Sequence, residues 1–167
     1  MENQGKSFLT RIRKTLPVVE RFALVVFTLG LVLTDLIEYS NILVSISLTV
    51  LAIVFFLTAY IPIEMPQDEE HKTGFNELFT FTIGPKIIWI ACSISTVGLQ
   101  FYFNGLEGPD IMLIVGSITL VPLNFLLGIQ FLRRIKYAEN LTPIFFRSIP
   151  IMVFDIYVLI QLGKISL

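Results

Sequence analysis

A single cysteine, Cys92, has no partner within the chain, so an internal disulfide is excluded. A single histidine, His71, leaves no pair at zinc spacing and no HExxH motif. The GxSxG elbow of serine hydrolases and the phosphate-cradling P-loop are missing as well. Charge is scarce: Asp, Glu, Lys and Arg make up 15% of the 167 residues, where soluble domains carry about a quarter. The net charge of −1 says nothing about nucleic acid; the placement of charge says more. These gaps predict no catalytic centre, no metal and no cofactor, and no nucleic-acid partner is expected.

Long apolar runs fill the chain instead. Mean hydropathy is +0.80. Residues 42–63 and 111–132 hold no charge at all, and about 20 apolar residues in a helix cross the ~30 Å hydrocarbon core of a bilayer. Residues 22–34 and 87–103 form shorter uncharged runs, and 149–162 carries one acid, Asp155. The expected fold is an all-α integral membrane protein of two tandem transmembrane helical hairpins, four spans in all, followed by a fifth, C-terminal membrane helix. The expected divisions are a basic amphipathic leader at 1–21, hairpin 1 at 22–63, a cytoplasmic acidic and interfacial loop at 64–86, hairpin 2 at 87–136 and a C-terminal membrane segment at 137–167. No separate soluble domain is expected. For the last segment, a re-entrant hairpin and an interfacial helix are the alternatives to a full span.

In the leader, Leu9, Ile12, Leu16 and Val19 recur on one helical face flanked by Arg11 and Lys14. This predicts a short helix on anionic lipid headgroups, restarting near Pro17. Arg133 and Arg134 end span four and are expected at headgroups too. Asn41 is the expected N-cap of span two, and Trp89 is expected near the interface. With the N-terminus inside, eleven of the twelve basic residues lie on the cytoplasmic side and the two outer turns hold none. That bias predicts a cytoplasmic N-terminus, and the expected location is the bacterial inner membrane.

An internal repeat is visible. Thr28, Gly30 and Leu31 match Thr96, Gly98 and Leu99; Asn41 and Ile42 match Asp110 and Ile111; Phe56 and Leu57 match Phe125 and Leu126. The offset is 68 before the turn and 69 after it. Two spans per unit keep the same orientation, so the repeat is parallel. The hairpins also carry Gly98, then Gly108-Pro109-Asp110, then Met112-Leu-Ile-Val-Gly116, and in the first unit Phe55-Phe56-Leu-Thr-Ala59 followed by Pro62. In these features each hairpin resembles the two-helix membrane anchor of the L subunit of the gliding-motility and type IX secretion motor of Bacteroidota. The resemblance implies a duplicated anchor-like scaffold. That family places a glutamate inside the second helix for ion-driven rotation; Leu51 and Leu120 stand there in this chain, which speaks against a motor role.

The candidate intramembrane polar site comprises Asp155, Asp35, Asn124 and Gln100. An ionisable group within a span acts as proton carrier, ion ligand or partner charge, or is simply held by hydroxyls or an interfacial arginine. Gly30, Gly98, Gly116 and Gly128 are expected at helix contacts, since small residues let backbones approach. Pro122 frees a backbone carbonyl that Asn124 or a water can satisfy. The expected function is a non-enzymatic multi-pass scaffold or subunit of an inner-membrane assembly, with the bilayer and further copies or other membrane subunits as partners. The alternative is a small transporter or channel using Asp155 and the polar faces of spans three and four.

Overall fold

The computed structural model describes residues 2–33, 40–61, 78–132 and 141–165, with side chains from Lys14 onward. The fold of these residues is all helical. Helix α1 is Glu2–Val32 and α2 is Ser40–Thr58. A π-helical turn, Phe79–Ile83, runs into α3, Gly84–Phe103. Helix α4 is Pro109–Leu132 and α5 is Thr142–Gln161. Five segments are long and apolar enough to cross a membrane: Lys14–Val32, Ser40–Thr58, Phe79–Phe103, Pro109–Leu132 and Thr142–Gln161.

The leader and the first span form one helix. Pro17 lies inside α1 without ending it; a proline removes one backbone hydrogen bond, and the surrounding turns carry the helix through. The third apolar segment begins at Phe79, earlier than the charge-free run at 87, because Lys86 stands exposed on an otherwise continuous helix. Asn41 lies within the first turn of α2, which is described from Ser40, and so is not its N-cap.

Helix α3 is the hub. It packs against α2, α4 and α5, while α1 packs on α2. Accordingly 61% of the α3 segment is buried, against 22% for α1. The α3/α4 turn needs left-handed backbone at Gly105 (φ 62°) and Gly108 (φ 83°), which glycine adopts without a Cβ clash. Close approaches occur where glycine faces a partner helix. A Cβ on Gly30 would stand 2.8 Å from Val44 Cγ2, and one on Gly98 would stand 3.0 Å from Leu113 Cγ and Met112 Cβ. Gly128 has open space around its Cβ direction, so the packing role expected of it does not fall there. A small residue permits contact but does not bring a neighbour to it.

Helix α5 runs the length of α4 in the opposite direction. At one end Ser148 Oγ donates to Asn124 Oδ1 at 2.6 Å. Seven residues further on in α5, Asp155 reaches Gly116 of α4. At the far end Lys164 Nζ pairs with Asp110 Oδ2 at 2.9 Å. The described part of the C-terminal segment is therefore one uninterrupted helix, Thr142–Gln161, and not a hairpin.

The core divides into two apolar clusters. One gathers Phe55, Ile88, Trp89, Cys92, Leu120 and Leu127 around the N-terminal half of α3. The other gathers Val44, Leu48, Leu99, Leu113 and Val158 around its C-terminal half. Trp89 is buried in the core, stacked on Phe55 with ring centroids 5.9 Å apart.

Candidate functional site

A polar layer separates the two clusters. Each contributing helix supplies it at the position where its buried face passes from one cluster to the other. On α3, Ser95 falls between Cys92 and Leu99. On α4, Gly116 and Ser117 fall between Leu113 and Leu120. On α5, Asp155 precedes Val158. Asp155 and Ser95 are fully buried, and Ser117 nearly so.

Gly116 lets the layer form. Its missing Cβ would collide with Ser95 Oγ and stand 3.3 Å from Asp155 Oδ2. The serine and the carboxylate therefore sit side by side over bare α4 backbone. Neither makes a hydrogen bond of good geometry within the protein, and Ser117 Oγ is likewise unpartnered. Leaving a buried polar atom unpaired costs about 1–3 kcal/mol, so three such groups on three helices are the least ordinary feature of the bundle.

Seven residues away, about 10 Å along the helices, lies a satisfied counterpart. Ser148 bonds Asn124, and Asn124 Nδ2 donates to Leu120 O at 2.9 Å. That donor goes to Leu120 and not to the carbonyl of Ile118, the one Pro122 leaves without its i+4 partner.

Of the expected polar-site residues, Asp155 and Asn124 share the α4/α5 seam. Gln100 lies elsewhere: its Nε2 donates to Ser45 Oγ at 3.3 Å across α2/α3, beside Asn104 Nδ2, which reaches the same hydroxyl at 3.1 Å. Asp35, Arg133 and Arg134 lie outside the described residues, as does the side chain of Arg11. Lys14 is exposed where the apolar part of α1 begins.

A second polar contact joins α1 to α5. Arg147 Nε pairs with Glu20 Oε1 at 2.7 Å, with Glu20 almost wholly buried. The Arg147 guanidinium also lies 5.6 Å from the centroid of the Trp89 ring. Arg147 therefore serves Glu20 and not Asp155. Glu20 escaped the sequence reading, although it is the only acid between the basic residues Lys6 and Arg21 and falls on the buried stripe of Leu16, Ala23 and Gly30.

In comparisons with known proteins, no family model, curated protein or solved structure matches the chain. The likeness to the motor-anchor hairpin rests on its own residues.

Proposed function

We propose that the chain is a non-enzymatic, multi-pass subunit or scaffold of an inner-membrane assembly, made from a duplicated helical hairpin. The observation that carries this reading is how the small and polar residues are used. Gly30 seats Val44, Gly98 seats Leu113, Ser93 Oγ donates to Ala52 O at 2.9 Å, and Ser148 bonds Asn124. Each joins one helix to another and fixes a rigid body. The outer face of α1, with Val18, Phe22, Val25, Leu29 and Val32, stays apolar for lipid or for another subunit.

Duplication is supported by burial as well as by sequence. Leu16, Glu20, Ala23 and Gly30 are buried in α1, and so are Gly84, Ile88, Ala91 and Gly98, each 68 positions later. Val44, Ser47, Leu48, Leu51 and Phe55 are buried in α2, and so are Leu113, Gly116, Ser117, Leu120 and Asn124, each 69 later. The two glycine contacts also correspond, since Val44 and Leu113 are themselves 69 apart.

Solubilisation in mild detergent followed by light scattering and identification of stoichiometric partners tests the reading. Further copies or a second membrane subunit in fixed ratio are expected. A monodisperse single copy that moves an ion or solute after reconstitution sinks it.

That second outcome is the transporter reading, which one observation favours: Asp155, unpartnered within the protein and held inside the bundle. The substitution Asp155→Asn separates the two. As a scaffold residue it tolerates Asn, which keeps the shape, and the unfolding temperature shifts by no more than ~2–4 °C, about 1 kcal/mol for a chain of this size. As a transport residue, Asn abolishes proton- or cation-dependent flux while the bundle stays folded.

The orientation predicts opposite labelling of cysteines placed at residues 69 and 107 by an impermeant maleimide, with 107 labelled from outside. Cys92 is fully buried and adds no background. Labelling of 69 from outside, with 107 protected, reverses the topology.

A further inference from the structure

Helices α1 and α5 meet at two levels. At one level Arg147 pairs with Glu20. Seven residues further along each helix, Phe27 meets Phe154 edge-on, with centroids 6.5 Å apart, and Phe103 braces both rings. Between these levels lies a cleft of about 260 Å³, whose walls include Leu24, Leu48, Leu51, Leu99 and Ile151. Its mouth reaches the outside of the bundle, because Leu24 and Phe146 on its rim are exposed. The ion pair closes one end and the aromatic trio the other.

The dimensions suit one hydrocarbon chain. Seven residues of helix are about 10 Å long. At roughly 30 Å³ per small group, the volume holds on the order of eight or nine chain carbons.

The closed end supplies the headgroup contact. A carboxylate takes at most two of the five donors of a guanidinium, so Glu20 leaves at least three on Arg147. The Arg147 side chain is 30% exposed. Arg21 acts electrostatically on Glu20 as well, and Lys14 stands exposed at the same end of α1. Among the described residues at this end, Glu20 thus has two bases acting on it, Arg147 and Arg21, a local excess of positive charge. Arg147 lies five residues into α5 and Glu20 six residues into the apolar part of α1, about 8–9 Å from where each apolar segment starts. From there arginine snorkels toward the phosphate plane.

The geometry points to a binding site for one anionic phospholipid of the leaflet nearest the N-terminus, with its phosphate on Arg147 and the upper part of one acyl chain in the α1/α5 cleft. This rests on the membrane reading of the five helices. Basic residues between membrane helices on the cytoplasmic side are the usual ground for such recognition.

The test uses the full chain purified in neutral detergent, with phosphatidylglycerol or phosphatidylcholine titrated into the micelles and unfolding followed by temperature. Phosphatidylglycerol should raise the unfolding temperature by about 5–10 °C at saturation, several times the effect of phosphatidylcholine. The variant Leu24→Trp, at an exposed rim position, fills the cleft; the double variant Glu20→Gln with Arg147→Gln removes the headgroup contact without stranding a charge. Each should abolish the lipid-selective rise. The two variants share no residue, and the wild-type comparison of lipids stands without either. Equal shifts from both lipids, a selective shift that survives Leu24→Trp, or an equal rise from glycerol phosphate alone would overturn the site. Alkaline carbonate extraction keeps the premise separate. Release of the chain from membranes sinks the membrane reading, whereas a chain retained in the pellet but indifferent to headgroup charge sinks only the lipid site.

Discussion

Substituting Gly116 by leucine should cost the bundle more than any other single change to its glycines. The first added carbon already collides with Ser95 Oγ, and it stands 3.2 Å from Ser95 Cβ and 3.3 Å from Asp155 Oδ2. Ser95 and Asp155 are fully buried, so neither can swing aside into open space. Overpacking a tight interior costs about 1–3 kcal/mol, and here the intruding side chain also drives two polar groups out of their layer. At 2–4 °C per kcal/mol for a chain of this length, the unfolding temperature in detergent should fall by about 6–12 °C, or the monodisperse peak should be lost. The matched control is Gly128→Leu, whose Cβ meets nothing and which should unfold within ~2 °C of the parent. Equal behaviour of the two variants would falsify the close α3/α4 approach described above.

The second large effect is expected at Arg147. Changing it to methionine keeps much of the side-chain volume but leaves the Glu20 carboxylate buried without its partner. Breaking a buried ion pair from one side costs about 3–5 kcal/mol, and the 30% exposure of Arg147 puts this pair at the lower end of that range. The pair is also one of the levels at which α1 meets α5, so its loss should expose α1 to proteolysis near its middle. Adding Glu20→Leu should recover most of the stability, since two apolar side chains leave no stranded charge. A double variant as unstable as Arg147→Met alone would mean that the arginine acts through Trp89 and not through Glu20.

The sequence was most legible where structure is local. Charge-free runs located α2 and α4 to within a few residues, because a helix in an apolar solvent satisfies its own backbone and needs no other signal. Gly30 and Gly98 could be marked because the same glycine recurs beside each turn. What depends on distant pairing was not legible. Glu20 and Arg147 are 127 positions apart, and nothing near either residue announces the other. The hub role of α3 is invisible for the same reason: its composition resembles that of its neighbours, and only three-dimensional packing surrounds it. The layer of Ser95, Ser117 and Asp155 was half visible. Each residue could be singled out as polar within a span, but their meeting depends on the α4/α5 register, which the antiparallel contacts of Asn124 with Ser148 and of Asp110 with Lys164 make plain. Pro17 misled in the opposite way, since local propensity argued for a break that the surrounding turns override.

The central position of α3 bears on how the protein is made. A ribosome delivers helices in chain order, so α1 and α2 leave it before the helix that most of the bundle packs around. Until α3 arrives, the first hairpin has only its own contacts, chiefly Gly30 against Val44, and Ala52 O lacks the Ser93 hydroxyl it later accepts. Glu20 must wait longer still, for its partner lies on α5. A chain that has made only α1 and α2 therefore holds Glu20 without Arg147. Burial of Glu20 against its partner waits for α5.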